Sequence, residues 1–340
     1  MLLFRVLAGA LLLLHPAAAR AQTVWDMATE YPQSAMPGLG VTTFAKHVAE
    51  SSAGKLQIRP SFDASGGIRS AGMLAAIAEG RVQAGDAFAG ALEAEDAIFA
   101  LPSLPFLVTS IADARRLADL ARPFLAAALQ NKGQRLLYLT PWPPSGIWSK
   151  SPLKMPSDLT GLSIRTYDKT SSEVFASAGA KAASISFADT MPKLAEGSIN
   201  AVLSSGDGGT GRRLWEFLPY FSEITYSLPL SVASVNQAIY DGLTPDLREA
   251  VDTARPRLNC GWPCPPGCKR IISGCARMES QLTQARLPPS SQCFNLEQQR
   301  RSRPGAPDLD QPAHRFSKPS RPANHELRRS CLRELRPAGA

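Results

Sequence analysis

The chain has 340 residues, enough for two domains of ordinary size, and a formal net charge of +8. That charge is uneven: residues through Ala254 hold 21 basic and 23 acidic side chains, a net of −2, and the rest hold 16 and 6, a net of +10. The basicity belongs to the tail, so the pI does not make the main part a nucleic-acid-binding surface.

Residues 1–21 read as a secretory signal. Arg5 gives a positive start, Val6–Leu14 an apolar core too short to span a bilayer, and Ala19-Arg20-Ala21 an A-x-A site with cleavage before Gln22. Trp25–Ala28 then reads as a strand, followed by a loop over Thr29–Met36 that contains Glu30 and Tyr31. Phe44 and Val48 fall on one face of a helix that Gly54 ends. Leu56–Pro60 is a second strand. Ser65-Gly66-Gly67 opens a helix with Met73, Leu74 and Ile77 inward, and Val82–Phe88 is a third strand. This β-α-β-α-β order predicts a parallel sheet with helical crossovers. Ser65-Gly66-Gly67 lacks the third glycine and the spacing of a dinucleotide fingerprint.

Leu101–Leu107 reads as a rigid proline turn, and Ala112–Gln130 as a helix interrupted near Pro123. After a strand at Leu136–Leu139, Pro141, Pro143 and Pro144 stiffen a crossing that reads as a hinge between two lobes. Trp148 follows it, either as core or as a wall of a cleft. Leu162-Ser163-Ile164-Arg165 alternates apolar and polar as a strand does, and a helix carrying Val174 and Phe175 runs on to Gly179. Arg165 thus comes near the carboxyl end of a strand in an α/β unit, where open sheets place ligands. Its planar fork fits a carboxylate, though an exposed or structurally paired arginine reads the same way. Tyr167, two residues on, falls on the cleft side.

Ser184–Phe187 is a further strand, and Asp189–Glu196 a helix capped by Asp189 and ended by Gly197. The buried strand Ile199–Leu203 opens into a Ser/Gly loop over 204–211 whose hydroxyls, Ser205 among them, suit polar ligand contacts. That loop has no GK[ST] and is no phosphate loop. Glu223–Tyr226 and Ser231–Val235 run back toward the first lobe. Thr244 caps a last helix with Pro245 in its first turn, ending near Ala254.

From Arg255 the chain changes character. All six cysteines lie there, with 12 of the 28 prolines, and no period persists. This is a frame-shifted or disordered tail. Its C-x3-C-x3-C-x6-C spacing lacks the paired knuckles of zinc modules, so no metal is expected, and nothing fixes a disulfide pattern. No cofactor is expected either. The four histidines form no triad with a serine, and no G-x-S-x-G elbow is present, which leaves a hydrolase as the weak alternative.

Three runs in order, LPSLPFL at Leu101–Leu107, TPWPPSGIWSKSPLKMPSDLTGLSIRT at Thr140–Thr166 and INAVLSSGDGGTGRRLWE at Ile199–Glu216, resemble the solute-binding subunits of TRAP transporters, the DctP-like family 7. The resemblance covers about residues 23–254. It implies a two-lobed α/β fold with a ligand cleft, lobe I over 22–140 plus 229–254 and lobe II over 141–228. It implies a periplasmic, non-enzymatic monomer that captures an organic acid and delivers it to the small and large membrane permease subunits. A secreted sensor domain would use the same cleft. In that family an arginine that falls on Arg165 holds the acid's carboxylate. Tyr31, Phe88, Trp148, Tyr167 and Ser205 are the accompanying candidates. Asn200 stands where relatives usually have an acid, and the tail lacks the amphipathic helices that brace both lobes in relatives.

Overall fold

The computed structural model describes residues 22–254 and 269–271. The predicted signal segment, the six cysteines and most of the basic tail lie outside the described residues.

The first sheet takes its strands from both ends of the described chain. Its members are β1 (Thr23–Thr29), β2 (Leu56–Ser61), β3 (Ala84–Phe88), β4 (Gln134–Pro141) and, late in the sequence, β10 (Leu230–Asn236). Their order is β2-β1-β3-β10-β4. β1 runs parallel to β2 and β3, as the βαβ pattern requires, and β10 enters antiparallel to both neighbours.

Helices α1 (Met36–Ser51), α2 (Met73–Ala78) and α3 (Ile111–Gln130) cover this sheet, joined by α7 (Gln237–Asp241) and α8 (Pro245–Thr253). One face buries Trp25, Met27, Phe44, Val48 and Val251. The other buries Ile77, Leu92, Phe99, Leu117 and Leu125. Each such side chain removed from water stabilises the lobe by about 1.5–3 kcal/mol, so Phe44→Ala would cost about 3–5 kcal/mol.

The second sheet holds β5 (Ser145–Ser149), β6 (Ser163–Thr166), β7 (Lys181–Ser184), β8 (Ala201–Ser205) and β9 (Tyr220–Ser222), with β11 (Lys269–Ile271) on its edge. The order is β11-β9-β5-β8-β6-β7. Helices α4 (Lys169–Ser177), α5 (Phe187–Ala195) and α6 (Gly206–Gly211) belong to this lobe. The chain leaves the first sheet at Pro141, enters the second at Ser145, and re-enters the first at Leu230.

Several local expectations change. The run Ser65–Gly67 is a turn, and helix begins only at Ser70. Pro123 does not interrupt α3, because the carbonyl it leaves without a donor belongs to Asp119 on the exposed side. The strand expected at Ser184–Phe187 is Lys181–Ser184, and Phe187 instead opens α5. Ser186, not Asp189, caps that helix, its Oγ accepting from the Asp189 N–H at 3.2 Å. The Ser/Gly loop contains the single-turn α6, and the strand expected at Glu223–Tyr226 is Tyr220–Ser222. Within the tail, Lys269–Ile271 pairs parallel with β9, whose outer edge offers backbone groups for pairing.

Candidate functional site

Arg165 is the third residue of β6, between β7 and β8. It is 3 % exposed, and its guanidinium is pinned across the strand ends. Nε donates to the Ile185 carbonyl at 2.8 Å and Nη1 to the Leu203 carbonyl at 3.1 Å. Nε is thereby spent, and the end-on face formed by Nη1 and Nη2 remains for an acceptor. Burial depresses the pKa of this group, and the nearby carboxyl groups of Glu30 and Asp168 counter it. A guanidinium does not give up its proton, so the result is a desolvated cation. Among the described residues no carboxylate lies within ion-pair distance of it.

This cation lines a cavity between the two sheets. From the first lobe come Tyr31 and Phe88. Arg165, Tyr167, Phe187, Ser204 and Ser205 face them from the second. Trp142, Ser145 and Pro229 come from the crossing strands. The Tyr31 ring stands 4.8 Å edge-on from Trp142 and 5.1 Å from Phe187. Phe88 meets Tyr167 at 4.9 Å. Burial raises both tyrosine hydroxyls above their ordinary value, so both stay neutral. The Tyr167 hydroxyl is 2.7 Å from Ser227 Oγ.

Five of the six residues singled out from the sequence, Tyr31, Phe88, Arg165, Tyr167 and Ser205, meet at this cavity. Trp148 does not. Its register partner Val202 also pairs with Arg165, so Trp148 shares the Arg165 face of the sheet but packs among Leu194, Val202 and Leu218 without lining the cavity. There Trp148 stacks on Phe221 at 4.9 Å, and its Nε1–H donates to the Ser205 carbonyl at 3.2 Å, holding the strand end behind the cavity. Trp142 is the tryptophan of the wall, fixed by a 3.0 Å bond from Nε1 to Ser231 Oγ. Sequence reasoning passed over Trp142 and Phe187. The Ser186-x-x-Asp189 spacing is a capping signature that places Phe187 at the helix start rather than in a strand. Asn200 is remote from the cavity, its Oδ1 accepting from the Ser163 N–H at 3.0 Å.

The lobes meet around the cavity through contacts that involve no solute. Glu30 is 1 % exposed. Its Oε2 accepts from the Ser70 N–H at 2.6 Å in the first lobe, and its Oε1 from the Ala188 N–H at 3.1 Å in the second. Both donors lie in first turns of helices, where N–H groups lack partners within the helix. Glu93 accepts likewise from Lys169 N at 3.0 Å and Thr170 Oγ1 at 3.2 Å at the start of α4. Arg69 pairs with Asp189 at 2.7 Å and Arg212 with Asp63 at 3.0 Å. Among the described residues no helix is long and apolar enough to cross a membrane.

Solved structures share this architecture. The extracytoplasmic solute receptor DctP6 of Bordetella pertussis, which binds pyroglutamic acid, is 27 % identical, with a TM-score of 0.65 over 81 % of this chain and 85 % of that one. A marine-metagenome TRAP solute-binding protein specific for pyroglutamate is 28 % identical, with a TM-score of 0.65 over 69 % and 77 %. A TRAP periplasmic solute-binding protein of Roseobacter denitrificans shares the fold with a TM-score of 0.69 at 13 % identity, over 78 % and 93 %. Among curated proteins none matches. The sequence itself matches the bacterial extracellular solute-binding proteins, family 7 (DctP), over residues 27–259. With two sheets, a cavity between them and a desolvated arginine inside it, the chain belongs to that family.

Proposed function

We propose that this protein is the periplasmic receptor of a TRAP-type transporter, and that it captures an organic acid by its carboxylate and presents it to the membrane permease. The observation that carries this reading is Arg165. It is a buried cation, held by two main-chain carbonyls and lacking an acidic partner among the described residues, and it faces a cavity between two lobes. Burying such a charge is costly unless an anion completes it. A carboxylate on Nη1 and Nη2 would do so through charge-assisted bonds. Tyr31, Phe88, Tyr167 and Ser205 complete the contact set from the two lobes. The lobes close on the solute by a hinge motion at the proline-rich crossing near Pro143. The chain acts by binding, without catalysis, and residues 1–21 direct it through the inner membrane.

The similarity to pyroglutamate receptors makes that acid the first to try. Thermal-shift screening of organic acids against the wild type and Arg165→Ala tests the reading. At ligand a hundredfold above Kd, binding stabilises the folded state by about 2.7 kcal/mol. The expected result is a rise in Tm with at least one acid that vanishes in Arg165→Ala. A rise of equal size in the variant would refute the role given to Arg165.

A further inference from the structure

Resting on that reading, we infer that Glu30 is a positioning residue for the solute site: its carboxylate caps the start of a helix in each lobe at once, and so sets the register in which Tyr31 meets Phe187 beside Arg165. The two bonds of Glu30 divide between the lobes. Ser70, whose N–H donates to Oε2, opens the short helical turn of the first lobe that runs on into α2. Ala188, whose N–H donates to Oε1, is the second residue of α5 in the other lobe. An N–H in the first turn has no carbonyl to donate to within its own helix, so each of these two relies on an acceptor outside it. One carboxylate serves both, and it can do so only while the two helix starts stand at one spacing.

That spacing reaches the cavity through neighbours in sequence. Tyr31 follows Glu30 and Phe187 precedes Ala188, so the bond from Ala188 to Glu30 fixes the ring of one lobe against the ring of the other, 5.1 Å between centroids. The Arg165 guanidinium lies 5.8 Å from the same Phe187 ring, within the range of a cation on a ring face. Sliding the start of α5 would carry Phe187 away from both. The other contacts between the lobes are less able to set this register. In the pairs Arg69–Asp189 and Arg212–Asp63 the carboxylate side chains are 47 % and 50 % exposed, and such pairs contribute little where water competes. Glu93 is only half-buried. Glu30 is buried, where a carboxylate bonds an N–H most strongly and an N–H left without a partner is costly. Its charge also acts on Arg165, so charge has to be separated from reach. Glu30→Asp does this, since it keeps the charge on a side chain one methylene too short to serve both N–H groups.

The test joins calorimetry to residue-resolved hydrogen exchange on the full chain, in the wild type, Glu30→Gln, Glu30→Asp, Arg69→Ala and Arg165→Ala. The probe is pyroglutamate, or the acid with the largest Arg165-dependent rise in the thermal-shift screen. With that acid bound, the wild-type Ala188 amide should be protected although it has no partner inside α5. In Glu30→Gln and Glu30→Asp it should exchange at least about tenfold faster, while amides in the interior of α5 stay within about threefold of wild type. Kd for the acid should rise about 10- to 100-fold in both variants. Arg69→Ala, which removes an exposed pair of the same seam, should raise it by less than about threefold. Wild-type affinity in Glu30→Asp would show that charge alone acts on Arg165, and would overturn the inference. Equal acceleration throughout α5 would make Glu30 part of the local fold only, and an Ala188 amide as fast in the wild type as in the variants would show that the bond does not form; either overturns it. All three outcomes leave the receptor reading standing, because Arg165→Ala still abolishes binding. Absence of Arg165-dependent binding for every acid overturns the inference and the receptor reading together.

Discussion

Arg165 and Asp86 occupy strands of opposite lobes, both are almost wholly removed from water, and they respond to burial in opposite ways. Arg165 keeps its charge and is tied to two carbonyls. Asp86 has only a 3.4 Å bond from Thr29 Oγ1 to its Oδ1, and its Oδ2 has no partner among the described residues. Burial pushes its pKa up to about 8, with the Thr29 bond pulling weakly the other way. At neutral pH it therefore holds a proton. Across the same sheet, Ala233 lies between Asp86 and Tyr138, and the hydroxyls of Tyr138 and Thr140 are buried without partners as well. A buried group that can discard its charge does so; one that cannot must wait for a counter-ion. On the proposed reading only the second kind makes a binding site, so the arginine, and not the protonated acid, marks it.

The comparison breaks most sharply at Arg165. Arg165→Ala should weaken solute binding by about 2–5 kcal/mol, read by calorimetry, and Arg165→Lys should recover little of it because the planar fork is gone. Recovery to wild-type affinity by lysine would mean that charge alone suffices.

Next comes Asp86, whose effect is on stability and depends on pH. Its folded value of about 8 stands above its ordinary 3.8, so the native state binds the proton more tightly than the unfolded chain. Its contribution is therefore fully favourable below about pH 4, declines as pH rises to about 8, and is level beyond. Asp86→Asn removes the titration. Between pH 5 and 8.5 the wild type should lose about 2–3 kcal/mol more stability than the variant, less than the full displacement implies because water enters as the strand relaxes. Parallel denaturation curves at the two pH values check this, and identical losses would show that Asp86 titrates normally.

Gly90 tests packing where the lobes meet. A Cβ there would stand 2.6 Å from Asp168 Oδ2 in the second lobe, and also 2.6 Å from Phe88 Cε1 and 2.7 Å from Ser103 Oγ in the first. Gly90→Ala should lower the Tm of the solute-free protein and weaken binding as well, by about 1–2 kcal/mol each. Weakened binding at an unchanged Tm would confine the clash to Asp168.

The smallest effect belongs to Trp148. Trp148→Phe loses the bond to the Ser205 carbonyl and should lower stability by about 0.5–1.5 kcal/mol, with affinity nearly unchanged. Trp142→Phe should instead weaken binding, and equal effects on affinity would erase the distinction between wall and core.

Much of this was legible in the sequence. The apolar periods gave the parallel part of the first sheet, and the alternation around Ile164 put Arg165 on the face opposite Leu162 and Ile164. Position along the chain could not tell Trp142 from Trp148, because that depends on β5, whose five residues are all buried and show no polar alternation. Phe187 was misplaced because a run of small residues from Ala182 carries no period of its own, so only the cap at Ser186 marks where strand gives way to helix. The Glu30 bridge was beyond reach, since it joins residues 158 positions apart through backbone donors that carry no sequence signal.

That bridge bears on timing. Glu30 and Glu93 tie one half of the molecule to helix starts in the other, and neither bond touches the solute site. Opening must break them whether or not a solute is inside. The lifetime of the loaded receptor is then governed by how fast protein parts from protein, and the grip on the acid contributes on top of that. On the proposed reading, a membrane partner that offers competing donors to the two glutamates unloads the receptor without reaching the solute at all.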